Sequence, residues 1–225
     1  MPKSLAYINV KGEKRAIRWS NCLRIYRREL IAENIRYNPA IRRCEDLVLT
    51  YEATLNAKVL VYLGDQYLYH NRVVPNSKSR RYTIDAWTAF KSLILHLYED
   101  TEQLNTPAMM TQMHLRAFFS VVECLENELK FYSKDRNNAI KQIRRIMEDE
   151  INEMYYNQIP IEKMNKQYQT YYRLIHQKKV FALVVYETQR KYMKRIEQQI
   201  IKPIIYLISE GKYTKNLYKK VRKYI

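Results

Sequence analysis

The chain has 225 residues, only three of them glycine, and carries 40 Lys and Arg against 23 Asp and Glu, a formal charge of +17. With 47% hydrophobic residues it is long and apolar enough to bury a core, which excludes a basic disordered tail. So few glycines leave little material for tight β-turns or phosphate-cradling loops, which excludes an all-β fold and points to an all-α one.

Ser20 precedes Leu23, Tyr26, Leu30 and Ile31 at helical spacing, predicting a first amphipathic helix that runs to about Tyr37 and carries Arg24, Arg27 and Arg28 off its apolar face. Asn38-Pro39 supplies a cap and a first-turn proline for a second, long helix. Its stripe of Ile41, Cys44, Leu47, Val48, Tyr51, Leu55 and Val59 runs toward a bend near Gly64. Residues 71–82, NRVVPNSKSRRY, form a basic loop without an acid. Thr83 is placed to cap a third helix bearing Ile84, Trp87, Phe90, Ile94, Leu97 and Tyr98, and Thr106-Pro107 repeats the start signal before Met110, Met113, Phe118, Val121, Val122, Leu125 and Leu129.

Ser133 opens a fifth helix with Ile140, Ile143, Met147, Ile151 and Met154, stopped by Ile159-Pro160 because a residue ahead of proline is pushed out of the helical region. From Met164 to Ile200 the apolar positions, among them Tyr168, Tyr172, Ile175, Phe181, Val185 and Tyr192, continue without a break signal. They predict one unusually long helix, kinked where Pro203 removes a backbone donor. Gly211 is a C-cap, and Leu217, Val221 and Ile225 make the closing lysine-rich segment amphipathic. The expected organisation is a basic arm at 1–19, one helical bundle-like domain of six or seven helices at 20–210, and a basic tail at 211–225.

The positive charge is not spread evenly. Residues 1–43 hold eleven Lys or Arg against three Glu, residues 71–82 hold four against none, and residues 211–225 hold six against none, so the remainder is close to neutral with 19 bases and 20 acids. Like charges gathered in this way repel one another unless a polyanion neutralises them, and phosphate backbones are the commonest intracellular polyanion. The residues expected to contact nucleic acid are Lys14, Arg15, Arg18, Arg24, Arg27, Arg28, Arg36, Tyr37, Arg42 and Arg43 at the N-terminal end; Arg72, Lys78, Arg80, Arg81 and Tyr82 in the loop; and Lys212, Lys215, Tyr218, Lys219, Lys220, Arg222 and Lys223 in the tail. Tyrosines beside bases can stack on nucleobases. Tyr26, Tyr51, Tyr168 and Tyr172 fall on helical stripes and are expected in the core.

Catalytic signatures are missing. His70, His96, His114 and His176 are scattered with no HExxH and are read as having no carboxylate partner at ligand spacing. Neither GxxxxGK[ST], GxGxxG nor GxSxG occurs. The run Glu148-Asp149-Glu150 reads as a solvated face paired with Arg144 and Arg145. Cys22, Cys44 and Cys124 lack CxxC spacing, which argues against a disulfide framework or zinc site and for a reducing compartment. No cofactor, catalytic residue or metal site is expected.

The sequence therefore leads to a non-enzymatic, largely sequence-independent binder that coats or packages DNA or RNA, as nucleocapsid or chromatin-like proteins do, with self-association into a homo-oligomer or filament. The alternatives are a helical RNA-holding subunit of a ribonucleoprotein and, behind it, a peripheral binder of anionic membranes or acidic proteins. The N-terminus lacks an apolar signal region and no window is apolar enough to span a membrane, so a cytoplasmic or virion-like location without integral membrane association is expected.

Overall fold

A computed structural model of the chain describes residue 22 and residues 24–35, 41–61, 81–104 and 106–204. Among these the fold is all-α, with eight α-helices and no strand. They are α1 Arg28–Asn34, α2 Glu45–Asn56, α3 Ala86–Gln103, α4 Pro107–Phe131, α5 Arg136–Glu148, α6 Ile151–Tyr155, α7 Lys166–His176 and α8 Val180–Ile196, with a π-helical turn at Glu197–Ile201. The chain divides into two compact units between Val180 and Phe181.

In the first unit, α4 is the central element. Pro107 starts it as expected, since a proline at the first turn forfeits no helical bond. Burial extends well beyond one stripe, from Met113, Phe118 and Leu125 to Gln112, Arg116, Ser120, Asn127 and Glu128. A helix buried on so much of its circumference must be covered on several sides. It packs against α3, α5 and α6, and the Phe118 ring meets Tyr155, Tyr168 and Tyr172 edge-on at 5.5–6.3 Å between centroids. Tyr51 is buried, and Tyr26, Leu30 and Ile31 pack on a smaller cluster of Ile35, Leu49 and Ala53 that joins α1 to α2. Of the four tyrosines expected in the core, Tyr51 is buried, whereas Tyr26, Tyr168 and Tyr172 are half-buried and pack at the core's edge.

Several boundaries differ from expectation. Arg24 to Arg27 precede α1, with Arg27 in extended backbone, so the helix starts at Arg28. The Ser20 start lies outside the described residues, as does the Asn38-Pro39 signal. α2 starts only at Glu45, where Glu45 and Asp46 suit the positive end of the helix dipole. It ends at Asn56, leaving Leu55 and Val59 exposed rather than in the core. Thr83 does not cap α3: Asp85, in the left-handed region at φ 51°, occupies the cap position, and Ile84 is exposed. At α5 the cap is Asp135, whose carboxylate accepts from Asn138 N–H at 3.0 Å, and not Ser133.

The long helix expected beyond Met164 is broken. α7 stops in a Schellman arrangement: Lys179 N–H donates to Leu174 O at 3.0 Å and Lys178 N–H to Ile175 O at 2.9 Å, with Lys178 at φ 52°. Glycine normally fills that position, and its absence here is why the stop carries no sequence signal. Because α8 starts anew at Val180, its buried positions are Val180, Leu183, Val184 and Glu187, and Phe181, Val185 and Tyr192 are exposed. In the second unit, Arg190 closes on Glu187 at 2.5 Å.

Candidate nucleic-acid interface

The end of the basic loop is seated on the turn between α4 and α5. The Tyr82 ring stacks on Phe131 with centroids 4.4 Å apart and planes 16° from parallel, and its hydroxyl donates to Glu128 Oε2 at 3.2 Å. Burial, with the Glu128 charge adding to it, pushes the Tyr82 phenol above its usual pKa, so the hydroxyl stays protonated as the donor. Burial also raises the Glu128 carboxyl, which accepts further from Asn127 Nδ2 at 3.1 Å. Next to this stack the turn places Lys134 Nζ 5.9 Å from the Phe131 centroid and the Arg136 guanidinium 5.3 Å from the Tyr132 centroid.

Around the stack lie exposed Arg81, Lys130, Lys134 and Arg136. α5 continues the same polarity, since Ala139, Ile143, Ile146 and Met147 face the core while Lys141 and Arg144 are exposed. Residues 130–145 hold six Lys or Arg against one Asp. The expectation of a neutral body was true only as a sum, because acids elsewhere in the body cancel this basic corner. A sixteen-residue window count was the available signal.

The remaining expected contacts divide into two groups. Arg27, Arg28 and Arg42 are exposed, and Arg24 is half-buried. Arg43 is drawn inward: its guanidinium lies 5.3 Å from the Phe90 centroid and its Nε is buried without a hydrogen-bond partner. The Arg116 guanidinium lies 5.8 Å from the same ring and donates to Ser120 Oγ at 3.1 Å through Nε. Lys14, Arg15, Arg18, Arg36, Tyr37, Arg72, Lys78, Arg80, Lys212, Lys215, Tyr218, Lys219, Lys220, Arg222 and Lys223 lie outside the described residues.

Two readings of chemistry change. Asp149 does not belong to a solvated face; it ends α5 and accepts from Trp87 Nε1 at 2.9 Å, Lys91 Nζ at 3.0 Å and Ile151 N–H at 3.1 Å. Burial works to raise its carboxyl, but these donors outweigh burial and hold it below its ordinary value. Arg145, expected to pair with the acidic run, instead bridges to Asp85 at 3.5 Å and Thr88 at 3.4 Å. His96 does have carboxylate neighbours, Asp100 one turn ahead and Glu52 across on α2, each 3.7 Å from Nε2. Sequence separation hid the second of these, and only the packing of α2 on α3 brings it near.

Cys22 is exposed, Cys44 half-buried and Cys124 buried, all as free thiols. Burial pushes the Cys44 thiol up to about 11, which makes it a poor nucleophile. No helix among the described residues is long and apolar enough to cross a membrane.

No family model, curated protein or solved structure matches this chain.

Proposed function

We propose that the protein is a non-enzymatic binder of nucleic acid that holds the phosphate backbone with little regard to sequence and coats or packages the strand by self-association. The observation that carries this reading is the segregation of charge: residues 1–43, 71–82 and 211–225 hold 21 of the 40 Lys and Arg with three of the 23 acids. Such clusters release counterions when they meet phosphates, which supplies affinity independent of base identity. The basic corner at Arg81, Lys130, Lys134 and Arg136 supports the same reading, because it sets cations around a stacked aromatic pair at the end of the basic loop.

The test is a salt series with unrelated single- and double-stranded oligonucleotides of equal length, read by fluorescence anisotropy. Affinity is expected to fall steeply with salt and to differ little between sequences. A shallow slope, or discrimination of about 10³ between sequences, overturns the proposal. Removal of Lys212 to Ile225 is expected to weaken binding to every sequence and flatten the slope while melting is retained. Unchanged binding with lost assembly would instead make the tail a subunit contact.

A further inference from the structure

His96 Nε2 is buried and has no hydrogen-bond partner, although Glu52 Oε1 and Asp100 Oδ2 each lie 3.7 Å away. That spacing is too long for a direct hydrogen bond. One donor atom from each of the three residues falls within 4.8 Å of the others. An unpartnered nitrogen at a point where two carboxylates converge calls for a further group.

We propose that Glu52, His96 and Asp100 bind one divalent transition-metal cation of the zinc class, which clamps α2 to α3. Zinc bonds to nitrogen and oxygen are about 2.0–2.2 Å, so tetrahedral donors sit about 3.3–3.6 Å apart; the two 3.7 Å edges at His96 are already close to this, and the edge between Glu52 and Asp100, within 4.8 Å, is the one left to close on binding. An imidazole donor favours borderline transition cations over magnesium or calcium, which prefer oxygen throughout. Three protein donors leave a position for water, and the His96 side chain is 28% exposed, which gives the cation a route in from solvent.

The frame is fixed independently of the metal. Tyr51 and Thr101, each next in sequence to a ligand, share a buried hydroxyl contact of 3.3 Å that sets α2 against α3. His96 and Asp100 stand one turn apart on α3 and share a face.

The full-length protein, stripped with a chelator, is titrated calorimetrically with zinc chloride and, in parallel, with cobalt chloride read by visible absorption. One equivalent is expected to bind saturably and to raise the melting temperature, while magnesium chloride at equal concentration leaves it unchanged. His96→Gln and Glu52→Gln should each weaken binding by at least about 100-fold with metal-free melting close to that of the parent. Asp100→Asn is the second probe if either variant fails to fold, and His114→Gln, remote from the triad in sequence, should bind as the parent does. Absence of saturable binding, or affinity unchanged in the folded triad variants, overturns the site.

Discussion

The side-chain amide of Asn127 holds both backbone groups of Thr83, accepting from its N–H at 3.0 Å and donating to its C=O at 2.9 Å. In this way a residue of α4 satisfies the backbone just ahead of α3 as a neighbouring strand would, and it does so while only 4% exposed. The last residues of the basic loop are thereby tied to the central helix, which positions Tyr82 on Phe131.

Asn127→Ala leaves the Thr83 N–H and C=O without their partner. The expected loss is about 1–3 kcal/mol in chemical denaturation. Unchanged stability would show that water replaces the amide at no cost.

Trp87 contributes both packing and a donor, being 3% exposed with Nε1 on Asp149. Trp87→Ala should cost about 3–5 kcal/mol. Trp87→Phe, which keeps much of the ring but loses the N–H, should cost about 1–3 kcal/mol. Equal losses in the two variants would assign the whole effect to the bond.

The core of the fold was legible where apolar residues recur at helical spacing and a proline marks the start, as at Trp87, Phe90 and Pro107. It was illegible where a residue with a side chain takes the left-handed turn usually given to glycine, as Cys44, Asp85 and Lys178 do. Charge localisation was legible by counting. The inward turn of Arg43 onto Phe90 and of Asp149 onto Trp87 was not, because a charged side chain in sequence carries no mark of the partner that packing brings to it.

Lys178 offers a direct check on that point. A left-handed Lys costs what glycine avoids, so Lys178→Gly should stabilise the fold by about 1 kcal/mol. A destabilising result would show that the lysine side chain contributes more than the strain it carries.

Acid sensitivity should trace in part to Asp149. Its folded pKa lies below the ordinary 3.8, so its contribution to stability is fully present above about pH 4 and is lost as pH falls through the lowered value. Glu52 and Glu128 are raised by burial, and their contributions decline as pH rises from about 4.5, so they act in the opposite direction. Asp149→Asn isolates the first effect: the melting difference from the parent should be widest near neutrality and shrink below pH 4. A constant difference across that range would refute the assignment.

The basic corner separates from the chain ends by charge reversal. Lys130→Glu with Lys134→Glu, both at exposed positions, should weaken binding to all oligonucleotides alike and reduce the salt slope by about two phosphates' worth. Melting should shift little. An unaltered slope would confine binding to the chain ends.

The packing of α4 against α3, α5 and α6, its own neighbours in the chain, has a consequence in time. Loops that close between adjacent helices are short, so the entropy of bringing the partners together is small and the nucleus forms quickly. On the ribosome, the segment from Ala86 to Tyr155 that builds this packing is released before the second unit begins at Phe181. Its helices therefore pack co-translationally, after the basic stretches at 1–43 and 71–82 have emerged and before the one at 211–225 has.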